Sequence, residues 1–201
     1  MTNRHQIIKK MCIAMSLVAI GFILPFITGN IKEIGNMLCP MHLPVLIGGF
    51  ILGPYYGAVI GFILPIFRSL TIGMPPFFPT AISMSIELLA YGAVSGLMFK
   101  VFIQKLKLNL LVSLYVSLII AMIVGRALWG LTRVFLVVFD HNPFTFKMFL
   151  VGAFINAWPG IIAQLILVPL IVFALIKTKL ISDIWNPQNE IRTNNQESPS
   201  N

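Results

Sequence analysis

Inside stretches otherwise built of Leu, Ile, Val, Phe and Gly stand one histidine, His42, one glutamate, Glu87, and three arginines, Arg68, Arg126 and Arg133. Asn156 and Gln164 add amides to a later apolar run, and Trp129 adds an indole between two of the arginines. An ionised group in hydrocarbon is costly, so it turns toward protein or a water-filled cavity and marks a functional site by default. The chemistry these residue types offer is recognition. A guanidinium forks onto a carboxylate, a carboxylate accepts from donors, and an imidazole does both. His42 and Glu87 could also act as an acid–base pair, but no nucleophile or metal set accompanies them.

Spacing sharpens this. Arg126, Trp129 and Arg133 are related as i, i+3 and i+7 and share one helix face. At 1.5 Å of rise per residue, Glu87 lies about 12 Å below the outer membrane face, Arg126 about 20 Å and Arg133 about 9 Å. Asn156 falls about as deep as Glu87, Arg68 near the outer end of its helix, and Gln164 in the inner half. Three arginines less one glutamate leave an intramembrane charge of +2, which needs a carboxylate, hydrogen bonds or an escape to the interface. Arg133, and less readily Arg68, can reach the outer interface along their stems. Arg126 is too deep, so it either pairs with Glu87 or meets a carboxylate on a bound solute. The expected substrate-binding set is Arg68, Glu87, Arg126, Trp129, Asn156 and His42. Blander roles compete: His42 stands at a helix start and can act there as a cap, and Trp129, Phe77 and Phe78 can be packing residues.

The elements that must position these groups are transmembrane. The chain of 201 residues is 58% hydrophobic and 10% charged, against roughly 25% charged in a soluble domain. A spanning helix needs about 20 mostly apolar residues, and the sequence accommodates six. They run at about Met11–Thr28, His42–Gly53 (short, entered through Leu43-Pro44), Tyr55–Leu70, Pro79–Ile103, Leu110–Phe139 and Phe146–Ile176, the last with bends expected at Pro159 and Pro169. The predicted fold is therefore an all-α integral membrane protein: one six-helix bundle over 1–181, then a polar tail, 182–201, rich in Asn, Gln and Ser and expected to be disordered. The first apolar run follows Arg4, Lys9 and Lys10 but is longer than a signal core and lacks a small-x-small site, so it reads as a retained helix.

Orientation follows from the basic loops. With the N-terminus inside, Arg4, Lys9, Lys10, Lys100, Lys105, Lys107, Lys177, Lys179 and Arg192 collect in the cytoplasm, and only Lys32 and Lys147 face out. This predicts N-in, C-in. The net charge of +8 thus reflects topology rather than a nucleic-acid surface. Cys12 and Cys39 have neither CxxC nor metal-ligand spacing and read as buried apolar residues. Gly49, Gly53, Gly57 and Gly61, then Gly92 and Gly96, recur every four residues, a spacing that lets helix backbones approach closely. They serve packing within the bundle or, alternatively, docking of another subunit. The turn Met74–Pro79 is either a lid over the outer mouth or a rigid reversal.

There is no GxxxxGK[ST] phosphate loop, no HExxH and no GxSxG, nor the matched inverted halves common in secondary transporters. A pocket without an engine requires either an energy-supplying partner or passive permeation.

Met41-His42-Leu43-Pro44-Val45-Leu46, Gly48-Gly49-Phe50, Gly53-Pro54, Tyr56-Gly57, Pro65, Arg68-Ser69-Leu70, Gly73-Met74-Pro75-Pro76, Glu87 and Tyr91-Gly92 together resemble the substrate-binding S component of energy-coupling factor (ECF) vitamin transporters. The likeness is close over about fifty residues and rests on topology elsewhere. It implies a multi-pass protein of the cell membrane that binds a small water-soluble vitamin from outside, topples, and releases it to the cytoplasm. It also implies partners: a transmembrane T component and two cytoplasmic ATPases. No catalysis, cofactor or metal is implied, since the start Met1-Thr2-Asn3-Arg4-His5 differs from the N-terminal histidine set of the cobalt and nickel carriers. Family members commonly dock through alanines four apart on the first helix, whereas Ala14 and Ala19 are five apart here. Among vitamins an arginine-rich pocket favours an acidic solute, with pantothenate a candidate. The alternatives are a solitary carrier or channel and, third, an intramembrane enzyme.

Overall fold

The computed structural model of the chain describes residues 3–27, 40–140, 145–155 and 157–177. Among them the secondary structure is entirely helical. Five helical stretches are long and apolar enough to cross a membrane, Arg4–Phe26, Pro54–Ile72, Phe77–Gln104, Leu110–Leu136 and Trp158–Ile176, and His42–Leu52 forms the expected short additional helix. Large apolar side chains such as Phe62, Ile63, Ile119, Ile123, Ile162 and Ile166 point outward. An outer surface of that kind belongs in lipid. Cys39, the loop residues Lys32 and Glu33, His141-Asn142-Pro143 and the tail 182–201 lie outside the described residues.

Helix α1, Asn3–Ile27, begins eight residues before the expected Met11, because the basic residues Arg4, Lys9 and Lys10 extend the helix rather than precede it. Cys12, expected to be buried, is exposed on it. Helix α2, His42–Leu52, is hydrophobic on every side and buried at nearly every position, as a helix with no polar face must be. Its eleven residues span about 16 Å, half a bilayer. Gly53 then reverses the chain at φ 93°, a backbone region that favours glycine. Pro54 opens α3, Pro54–Ile72, where the missing N–H costs nothing. Left-handed Gly73, its N–H donating to the Ser69 carbonyl, ends α3.

The reversal Met74–Pro76 carries a cis Met74-Pro75 bond and passes into a π-helical turn, Phe77–Ala81, kinked at Phe78. Helix α4, Ile82–Gln104, follows, then α5, Leu110–Asp140. Where one continuous last helix was expected, the chain makes a short α6, Phe146–Leu150, a π-helical turn, Val151–Ile155, and then α7, Trp158–Lys177. At that interruption Gly152 packs against the Trp129 ring, where a Cβ would come within 2.9 Å. Pro159 lies in the first turn of α7, while Pro169 is carried inside it without ending it.

Helix α4 is the centre of the bundle, packed against α2, α3 and α5. The glycine repeat is what lets it be so. A Cβ on Gly57 would lie 2.6 Å from both the Gly49 Cα and the Gly92 carbonyl oxygen, and one on Gly96 would lie 2.5 Å from the Gly49 oxygen. Gly61 meets the Leu88 backbone in the same way. These glycines serve internal packing, and Gly53 alone of the series faces open space. Phe50 and Phe99 fill the layer beside them, ring to ring at 5.2 Å and nearly perpendicular.

Candidate functional site

Three helices deliver one ionisable side chain each to a common point. His42 is the first residue of α2, Glu87 lies in the second turn of α4, and Arg126 is at mid-length of α5. Glycine explains how α5 comes so close: a Cβ on Gly125 would stand 3.1 Å from the Tyr91 ring and 3.3 Å from the Glu87 carbonyl oxygen. With nothing there, α5 closes on α4 and its next residue, Arg126, reaches Glu87. Tyr91, one turn below Glu87 on the same face, supports the imidazole edge-on, with ring centroids 5.1 Å apart.

At the centre, one carboxylate oxygen is shared. Glu87 Oε1 is 3.4 Å from Arg126 Nη1 and 3.5 Å from His42 Nε2. His42 and Glu87 are each 2% exposed and Arg126 7%. The ion pair answers the first of the two expected fates of Arg126. It is a loose pair, however. Glu87 Oε1 and both imidazole nitrogens of His42 have no hydrogen-bond partner among the described residues. Buried polar atoms are nearly always bonded, so these atoms of Glu87 and His42 have capacity in hand for a further polar group. The cluster can offer a guanidinium donor, a carboxylate acceptor and an imidazole of either character.

Arg68 is engaged elsewhere. Its Nε donates to the Met74 carbonyl at 3.1 Å and its Nη1 to the Phe22 carbonyl at 3.3 Å, and the guanidinium lies 5.1 Å over the Phe26 ring. It therefore ties the reversal after α3 to the outer end of α1, with the cation satisfied by carbonyls and an aromatic face. Its burial is as expected, whereas partners that are backbone carbonyls leave no mark in a sequence.

Trp129, three residues beyond Arg126, stacks on Phe149 at 6.1 Å and meets Gly152. It forms the contact between α5 and the interrupted segment 146–155. Asn156 lies outside the described residues. Sequence reasoning named Tyr91 only within the family-like motif, gave Gly125 no role because it has no side chain to flag it, and placed Gln164 apart from the site. Gln164 is fully buried. Counted from Lys177 along α7 rather than down an unbroken helix, it stands about 20 Å above the inner end, near mid-depth. Among the described residues no group of three His, Cys, Asp or Glu side chains is placed to hold a metal ion.

Residues 9–178 match the family model for the ECF transporter substrate-specific component. No curated protein and no solved structure matches the chain.

Proposed function

The chain belongs to the family of ECF transporter substrate-specific components, and from that premise we propose that it captures a small water-soluble vitamin from outside the cell, at the point where His42, Glu87 and Arg126 meet. Membership makes it a transport protein of the membrane, the substrate-binding subunit of an ECF importer rather than an enzyme. A T component and two ATPases are the partners that such a subunit implies, and the cell membrane is its proposed location.

The observation that carries the site is the convergence of three charged or chargeable side chains from separate helices, all buried, with Glu87 Oε1 and both His42 nitrogens lacking a hydrogen-bond partner among the described residues. Arg126 supports a solute bearing a carboxylate, with pantothenate as the first candidate, since a charge-assisted contact in a dry interior is strong. Arg68 and Trp129 contribute by holding the outer reversal and the 146–155 segment that border α5, and Asn156 completes the proposed set. A second reading has its own support: Glu87 already faces Arg126 at 3.4 Å. A neutral or zwitterionic solute that inserts between them would use both.

Native mass spectrometry of the purified chain tests capture directly. A retained small molecule is expected, together with co-purification of the T component and ATPases from cells that express them. A chain that retains nothing and responds to no vitamin of a medium-derived panel sinks the proposal. Uptake by the chain alone in ATP-free liposomes would replace it with a solitary carrier.

A further inference from the structure

We propose that Gln164 is a second contact for the solute, set below the charged cluster and reading a neutral hydrogen-bonding group. This inference rests on the capture site assigned above and extends it inward.

Gln164 is 0% exposed, and neither its Oε1 nor its Nε2 has a hydrogen-bond partner among the described residues. Several serines of this interior behave differently. Ser83, Ser85 and Ser95 each donate to a carbonyl of their own chain three or four residues back. A glutamine carries two donors and a two-lone-pair acceptor, and burying all of them unbonded in a lipid-embedded bundle is unfavourable unless something else supplies the bonds.

Placement points to what that is. The buried positions of α7 are Gly160, Gln164, Val168, Pro169 and Val172, with Ala157 just before it, so the amide faces the bundle interior. Helix α7 packs against α2 and α5, the two helices that bring His42 and Arg126 to Glu87. Along the helices, Glu87 stands about 26 Å above the end of α4 and Gln164 about 20 Å above the end of α7, roughly one turn lower. On the outward side of Gln164 stands Gly160, which brings no side chain to cover it. A solute anchored by its charged end at Glu87 and Arg126 and extending one turn inward therefore meets an amide built to hydrogen-bond a carbonyl, amide or hydroxyl. A site of this kind rejects analogues that lack the matching group, since the glutamine then stays unbonded.

The test uses the full chain in detergent, with Gln164→Met and Gln164→Leu. Thermal unfolding and affinity are measured against pantothenate, biotin, folate, thiamine, riboflavin and pyridoxine. Wild-type protein is expected to be stabilised by at least one of them. Both variants are expected to unfold, without vitamin, at or above the wild-type temperature, because an unbonded amide has been removed. Their affinity for the same vitamin should fall at least about tenfold. Unchanged affinity in both variants, or a lower unfolding temperature without vitamin, would overturn the assignment and make Gln164 a packing residue with a structural partner. A wild-type chain that answers to none of the six overturns the capture reading itself, and the role of Gln164 with it.

Discussion

Glu87 on α4 and Arg126 on α5 form a buried ion pair with Oε1 and Nη1 3.4 Å apart. Removing one member leaves the other charge uncompensated, at a cost of about 3–5 kcal/mol. Glu87→Gln should therefore lower the ligand-free unfolding temperature, and adding Arg126→Met should recover much of the loss. The same pair of variants separates the two solute readings. A carboxylate solute replaces the missing glutamate and stabilises Glu87→Gln more than wild type, whereas a solute held by Glu87 stabilises it less. Thermal unfolding with and without the retained solute decides.

Arg126 and Lys147 are both cations, but only Arg126 is buried, while Lys147 is exposed. A contact in low dielectric is worth more than one rinsed by solvent and salt. Arg126→Ala should weaken solute binding by about tenfold or more, and Lys147→Ala should leave it near the wild-type value. Equal effects in a titration would remove Arg126 from the site.

The guanidinium of Arg68 serves two carbonyls and the face of Phe26. Arg68→Ala should cost about 1–3 kcal/mol of stability through the lost charged hydrogen bonds. Arg68→Lys should restore little, because a single ammonium lacks the planar fork. Unfolding in denaturant measures both, and full rescue by lysine would show that charge alone matters there.

Much of this was legible beforehand, and the reasons are uneven. His42, Glu87 and Arg126 stood out because charge inside apolar sequence has few explanations, and depth counting along uninterrupted helices brought Glu87 and Arg126 to heights about 8 Å apart, within reach of a long arginine side chain. The short α2 followed from Leu43-Pro44 at one end and Gly53-Pro54 at the other. For the last helix a bend at Pro159 was expected, and the break falls just before it, within 146–157, where the close approach of Gly152 to Trp129 leaves no mark in the sequence. That break also shifted the height of Gln164. For Arg68 the residue was visible and its acceptors were not, because the carbonyls of Met74 and Phe22 belong to backbone.

Backbone approach at the glycines gives a steeper prediction. On Gly92 a Cβ would collide with the Gly57 backbone, whereas around Gly53 there is open space. Gly53→Ala meets only the strain of its positive φ, about 1 kcal/mol. Gly92→Ala must push α3 and α4 apart and should abolish monodisperse protein. Size-exclusion chromatography of the two variants distinguishes them, and similar profiles would mean the helices are less tightly joined.

Topology is open to a direct check. The basic turn at Lys107 and the reversal at Met74 are separated by the whole of α4, and both are exposed. With the N-terminus inside, a cysteine placed at 107 in a Cys12→Ser, Cys39→Ser background should react with an impermeant maleimide only after cells are opened. One placed at 74 should react in intact cells. The reverse pattern inverts the protein.

The glycine contacts between α2, α3 and α4 have a mechanical corollary. Three helices whose main chains touch have no cushion of side chains to compress, so they act as a girder. His42 and Glu87 are both mounted on it. If the subunit tips within the bilayer, those two groups travel as fixed cargo, and the freedom to let go must reside on the α5 side, with Arg126.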